Sequence, residues 1–285
     1  MNFGGIEEQY AALEDAAFVV VPVPYDLTTT YQGGTRKGPA AILEASCNME
    51  LYDEEIGAET CRSGIHTMEP LEPVASGPEG MLARIEEAVS GVFRIGKVPV
   101  MIGGEHSITL GAVRAARKRY PKLTVLHLDA HADMRMSYQG TPYSHACIGR
   151  RMKELCPVVQ AGIRSMSAEE ADYLGKGTVP VFSAADIRKD RAWVGKVLRH
   201  LSNDVYITID LDAFDPSVMP ATGTPEPGGM LWHDVLDLLR EVCRRKRVIG
   251  FDVVELAPIA GIVAPDFLAA RLTYRVMGYV ARKSG

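Results

Sequence analysis

The order of apolar and amphipathic runs predicts a single-domain α/β protein, a three-layer α/β/α sandwich with a mainly parallel central sheet. Three observations carry that expectation. Short β-branched runs, apolar at nearly every position, recur at residues 18–21, 98–102, 123–129, 158–162, 179–182, 205–211 and 248–254. Such runs suit strands covered on both faces, as in a parallel sheet with helices above and below. Amphipathic stretches lie between them, at residues 80–95, 110–120, 192–201, 232–245 and 266–281, and a βαβα order favours layered packing. No repeat, low-complexity segment or linker interrupts the chain, so one domain is expected over residues 1–285.

Taken in order, residues 18–21 are wholly apolar and open the sheet. Residues 28–39 gather glycines and Pro39 and read as a long loop. The strand at 98–102 runs directly into Gly103-Gly104-Glu105-His106, and the strand at 123–129 into Asp129-Ala130-His131-Ala132-Asp133. Residues 140–142 and 219–229 again collect prolines and glycines as loops, while the strand at 205–211 ends in Asp210-Leu211-Asp212. Ligands of open parallel sheets bind beyond the carboxyl ends of the strands, so three strands distant in sequence bring polar ends to one crevice, walled by those loops.

Composition narrows the setting. Of the 285 residues, 47% are hydrophobic and 24% charged, the balance of a soluble globular protein with a sizeable core. The net charge of −5 and the lack of any basic block favour neither nucleic acid nor an anionic membrane as partner, so neither is expected, and mildly suit a cationic small molecule. No apolar run reaches membrane-spanning length and the start Met1-Asn2-Phe3-Gly4-Gly5 is not a signal peptide. The five cysteines are odd in number and follow no paired spacing, which predicts reduced thiols and a cytoplasmic protein.

The acids at the strand ends predict a metal centre. Burying several anions costs several kcal/mol for each one left unpaired, so cations are expected among them. Residues two apart on a strand share a face, so Asp129, His131 and Asp133 can converge, as can Asp210 and Asp212. A straight strand would spread residues 129–133 over about 13 Å, whereas paired catalytic metals sit about 3.5–4 Å apart. The chain must therefore bend after Asp129, and Ala130 and Ala132 permit it. With His106 the set is four aspartates and two histidines, whose charge balances two divalent ions. Oxygen-rich ligands with some imidazole and no thiolate favour manganese, while cobalt, nickel or iron(II) also fit.

Four neighbours have plainer readings. His127 lies within the strand and reads as a packed core histidine rather than a ligand. Asp215 precedes Pro216 and is expected to fix loop geometry or support the site from behind. Cys147, two residues from His145, lacks any further nucleophile signature. Asp252 either orients a metal-bound histidine or serves as an ordinary buried hydrogen-bonding group.

The strings Gly103-Gly104-Glu105-His106, Asp129-Ala130-His131-Ala132-Asp133, Asp210-Leu211-Asp212-Ala213-Phe214-Asp215-Pro216 and Thr222-Gly223-Thr224-Pro225 occur in the order and spacing of the ureohydrolases. These are the manganese enzymes that include arginase and agmatinase. The resemblance runs from Pro22-Val23-Pro24-Tyr25-Asp26 through residues 33–39 to the last helix, nearly the whole chain. It implies an arginase-like fold, two Mn2+ per chain on His106, Asp129, His131, Asp133, Asp210 and Asp212, and a homotrimer or homohexamer. It also implies that Glu255 pairs with a substrate guanidinium, that Thr224 lines the guanidinium pocket, and that His145 shuttles protons. Asp133 is then the best placed acid for the leaving amine.

Within the family, residues 134–144 contain no asparagine, unlike the arginase loop that binds the amino-acid head of arginine. That loop and residues 224–229 resemble the agmatinase branch, implying cleavage of agmatine or aminopropylagmatine to urea and an amine in polyamine biosynthesis. The stretch after Glu255 lacks the Tyr-Asp pair common in agmatinases. Arg135 either faces solvent or greets a carboxylate, so a guanidino acid such as guanidinobutyrate is the alternative substrate, with arginine behind it. An inactive scaffold subunit would be expected to lack a ligand, and none is missing. Deacetylases of this architecture use one zinc and three ligands, which the six-residue set disfavours, and Gly103-Gly104 falls short of a phosphate-binding fingerprint.

Overall fold

Strands buried at nearly every position explain the layering, because both faces of the sheet must be covered. In the computed structural model, which describes residues 1–283, ten short segments are extended. They are β1 (Phe18–Val23), β2 (Tyr52–Asp53), β3 (Ala58–Glu59), β4 (Ile65–Thr67), β5 (Val98–Gly103), β6 (Thr124–Leu128), β7 (Val158–Ile163), β8 (Val181–Ser183), β9 (Asp204–Asp210) and β10 (Arg247–Val254). Eight of them form one sheet in the order β4-β1-β5-β10-β9-β6-β7-β8, every neighbouring pair parallel, while β2 and β3 make a small antiparallel hairpin.

Alternate side chains of each strand enter different cores. Phe18, Val20, Val100, Ile102, Leu126 and Leu128 face the helices Gly38–Ser46, Trp193–His200, Trp232–Arg245 and Ala264–Lys283. Val19, Val21, Met101 and Val125 face the helices Pro78–Arg94, Thr109–Arg119 and Ile148–Leu155. Each fully buried aliphatic side chain contributes about 1.5–3 kcal/mol, so neither face tolerates a polar substitution well. Among the described residues, no helix is long and apolar enough to cross a membrane.

The expected strands and long helices are present, with ends shifted by one or two residues. Asp129 and Leu211 fall just outside their strands, and β8 begins at Val181 instead of residue 179. Several short elements carry too little periodicity to be read from the sequence. The expected loop at 28–39 already turns helical at Gly38–Ser46, with a proline in the first turn, where its missing N–H costs nothing. Ala168–Leu174 starts with a capping box between Ser167 and Glu170, and Ser183 caps Ala184–Lys189. β4 is only three residues long and sits at the sheet edge.

The topology places the crevice. β5, β10, β9 and β6 are adjacent, yet the chain passes from β5 to β6 before β9 and β10 fill the gap. Binding crevices form at such reversals of strand order. Gly103, Val254 and Asp210 end up side by side: Ile102 pairs with Val253, and Val254 with Asp210. Leu128 pairs with Ile209, which sets Asp129 beside Asp210.

Candidate active site

All six expected ligands gather at that end of the sheet. His106 opens a short turn after β5, Asp129 follows β6, and Asp210 closes β9. The bend after Asp129 is made by pairing with the next strand's exit. Ala130 O accepts from the Arg164 and Ser165 amides, and the Ala132 amide donates to Ser165 O. Asp133 then turns back in the left-handed region at φ 52°. Glu255 does the same at φ 67°, its amide donating to Gly104 O at 2.8 Å. Such backbone costs about 1–3 kcal/mol for a non-glycine residue, and here it re-aims two carboxylates into one crevice.

Two clusters share Asp129: His106, His127, Asp129 and Asp133 in one, Asp129, His131 and Asp212 in the other. His106 Nδ1 stands 3.1 Å from Asp129 Oδ2, 3.1 Å from Asp210 Oδ2 and 3.7 Å from Asp133 Oδ2. His131 Nδ1 lies 2.9 Å from Asp212 Oδ2 and 3.5 Å from Asp129 Oδ1. Three of the carboxylate oxygens accept from the backbone. Asp129 Oδ1 accepts from the His131 amide at 2.5 Å, Asp212 Oδ1 from Ala130 at 2.9 Å, and Asp210 Oδ1 from Asp212 at 2.8 Å.

The electrostatics call for cations. Burial, and then the nearby Asp129 carboxylate, push Asp133 well above the usual range, while burial with Asp212 and Asp129 does the same to Asp210. Burial also opposes ionisation of Asp129, but the adjacent His106, His127 and His131 outweigh it and hold that carboxyl well below its ordinary value. His106 Nδ1 is fully buried without a hydrogen-bond partner, aimed at the carboxylates. A buried orphan nitrogen facing convergent carboxylates fits a divalent ion bound by imidazole and oxygen.

Behind His106 runs a relay. Its Nε2 lies 2.8 Å from Thr208 Oγ1, which donates to Asp252 Oδ1 at 2.6 Å, while Tyr206 donates to Oδ2 at 2.8 Å. Asp252 thus reaches His106 through Thr208, the contact that orientation of this histidine requires. It leaves Nδ1 free for the cage, as supporting residues commonly do for metal-bound histidines. Burial raises Asp252 to about 6. His127 is fully buried between Asp129 Oδ2 at 2.7 Å and Gln160 Nε2 at 3.1 Å, so this core histidine also braces a ligand.

The cavity beside the cage is lined by His145, Thr224 and Glu255 as well as the ligands. Glu255 Oε1 accepts from the His106 amide at 2.6 Å, and burial followed by the Glu105 carboxylate raises its pKa to about 8. Burial lowers His145 to about 4. Arg135 sits at the outer mouth, its guanidinium 4.8 Å from the Tyr138 ring centroid and its Nε 3.7 Å from Glu170 Oε2. Cys147 is buried with its thiol pushed up to about 11, which disfavours a thiolate nucleophile. Asp215 fixes its loop as expected, accepting from Ser217, Gly228 and Gly229.

Glu105, Thr28, Thr208 and Gln160 were not singled out by the sequence. Only Glu105 had a signal, its place between Gly104 and His106 in the first motif.

Comparisons with known proteins agree with this geometry. The model of the arginase family matches residues 16–278. The N(1)-aminopropylagmatine ureohydrolase of Synechocystis sp. is 41% identical over 281 residues, covering 95% of this chain and 92% of the relative. The enzyme of that name from Thermus thermophilus is 41% identical over 279 residues, covering 98% and 95%. Among solved structures, the agmatine ureohydrolase of Thermoplasma volcanium superposes with a TM-score of 0.89 at 35% identity, covering 99% of this chain and 94% of that one.

Proposed function

The chain belongs to the arginase family, and from that premise we propose that it is a binuclear manganese ureohydrolase of the agmatinase branch. It hydrolyses a small cationic guanidino compound, agmatine or aminopropylagmatine, to urea and an amine for polyamine synthesis. The observation that carries the reading is the juxtaposition of the His106–Asp129–His131–Asp133–Asp210–Asp212 cage with the buried carboxyl of Glu255 in one cavity. We further propose one ureohydrolase domain over residues 1–285, a cytoplasmic enzyme consistent with five unbridged cysteines, and a homotrimer or homohexamer.

Two Mn2+ held by the six ligands supply Lewis acidity that brings the ionisation of water towards neutral pH. The protein's own groups do the rest. Glu255, fixed by the His106 amide, pairs with the planar guanidinium through charge-assisted hydrogen bonds, and Thr224 borders the same pocket. Holding the cation there presents its carbon to the attacking water. Asp133 accepts the proton that water loses as the C–O bond forms. It returns a proton to the alkyl nitrogen as the C–N bond breaks. The hydroxyl proton of the intermediate leaves through Asp133 or His145, giving urea and an alkylammonium.

Guanidino acids are the weaker reading, because Arg135, the residue that would greet their carboxylate, already faces Glu170. Urea release from agmatine, aminopropylagmatine, guanidinobutyrate and arginine, with manganese added, tests the proposal. The two amine-tailed guanidines should have the highest kcat/KM, and arginine as the best substrate would refute the branch assignment.

A further inference from the structure

We infer that Thr28 and Glu105 are positioning residues that fix the tautomer of His145, holding its proton on Nδ1 and leaving the Nε2 lone pair for the reacting groups. The inference rests on His145 being the proton relay proposed above. Its tautomer readout does not require that any metal be loaded.

Thr28 lies in the loop after β1 and Glu105 is fully buried after β5. Glu105 clamps Thr28 with both oxygens: the Thr28 amide donates to Oε2 at 2.5 Å and the hydroxyl donates to Oε1 at 2.7 Å. Ser107 Oγ donates to the same Oε1. A threonine hydroxyl has one proton and two lone pairs. With the proton given to Glu105, Thr28 Oγ1 has only acceptor capacity left. It accepts the His145 amide at 3.0 Å and stands 3.3 Å from His145 Nδ1. An oxygen with no proton to offer holds a ring nitrogen only when that nitrogen carries hydrogen. Nδ1 is therefore the donor and Nε2 the base. When Nε2 takes up a proton the ring becomes imidazolium and the Nδ1–H bond to Thr28 is kept.

Burial lowers His145 to about 4, so the ring is neutral near pH 7 and one of two tautomers must be chosen. The competitor is Ser144, whose Oγ lies 3.4 Å from Nδ1 and accepts the Ala146 amide at 3.4 Å. Its proton is free to turn towards Nδ1, which would favour the opposite tautomer. Thr28 is closer, and its hydroxyl is locked by a buried carboxylate.

The experiment reads the imidazole nitrogens by NMR in 15N-histidine-labelled protein, with His145→Gln identifying the resonances. The wild type should show a protonated Nδ1 and an unprotonated Nε2. Thr28→Val keeps the amide clamp to Glu105 but removes the hydroxyl. It should mix or reverse the tautomers and lower kcat about tenfold, with KM within about twofold. Thr28→Ser should restore both. Wild-type Nε2–H, a Thr28→Val protein with an unaltered tautomer, or reversal by Ser144→Ala would each overturn the inference. Full activity in His145→Gln would instead refute the relay role while leaving the tautomer measurement to judge Thr28 separately.

Discussion

Replacing Glu255 by glutamine separates charge from shape at the centre of the cavity. The residue sits at φ 67°, its amide bonded to Gly104 O and its Oε1 to the His106 amide at 2.6 Å. Glutamine reaches the same backbone conformation, and its carbonyl oxygen accepts the same amide, so His106 keeps its place. The amide nitrogen is then left on the side of the guanidinium, donor against donor. What is lost is a charge-assisted interaction worth roughly 1.5–3 kcal/mol, or about ten- to a hundredfold in kcat/KM. The buried wild-type carboxyl also costs the folded protein something, since burial and Glu105 hold its pKa near 8. Removing the charge should therefore leave the melting temperature unchanged or raised. The assay is urea release at saturating manganese, with metal content measured on the same samples. A fully metallated Glu255→Gln enzyme with wild-type kcat/KM would refute the pairing.

Other perturbations address the remaining parts. Asp129→Asn and Asp210→Asn should each bind fewer than two divalent ions per chain, and elemental analysis showing two ions in both would sink the ligand assignment. Thr208→Val breaks the relay from Asp252 to His106 and should weaken metal affinity about ten- to a hundredfold, read by metal titration of the apo-protein. Arg275→Leu strands the buried Asp53 carboxylate 2.8 Å away and should cost about 3–5 kcal/mol of unfolding free energy in urea; a loss below about 1 kcal/mol would contradict it. Asp215, held at about 2 by hydrogen bonds from Ser217 and then Gly229 and Gly228, has a folded pKa below its unfolded value. Its contribution is therefore present above about pH 4 and lost as pH falls towards 2. The gap in urea midpoint between the wild-type and Asp215→Asn apo-proteins should accordingly shrink from pH 5 to pH 3.

How far the fold was legible depended on burial. Strands such as Phe18–Val23 and Val158–Ile163 are covered on both faces and write their position into an unbroken apolar run. Ile65–Thr67 pairs with only one neighbour and leaves His66 and Thr67 partly exposed, so it has no such run to show. The clustering of the expected ligands was legible because carboxylates that emerge from core strands are too costly to bury without cations beside them. The residues that orient them were not. Thr208 occupies an ordinary position in β9 and Gln160 one in β7, and each matters only through the register that sets it beside a histidine. Thr28 meets His145 across 117 positions of sequence, a contact that no local pattern encodes.

The same register brings the His/Asp cluster and the Glu255 carboxyl to one crevice. Glu255 follows Val254, which pairs with Asp210, and its Oε1 is held by the amide of His106. A displacement of β10 would therefore shift the Glu255 carboxyl and His106 together. Glu105 extends the coupling in the other direction, one residue before His106 and bonded to the loop that carries Thr28. Residues 29–32 of that loop line the cavity next to the ligands. Cations among the aspartates would offset the burial, and then the neighbouring carboxylates, that drive Asp133 and Asp210 upward, and the relief would act on His106 through their shared contacts. Metal binding should then stiffen the loop at 28–32 as well as the ligands. Hydrogen exchange at Thr28 should slow when manganese is added to the apo-protein, and exchange unchanged by metal would show that cage and loop are independent.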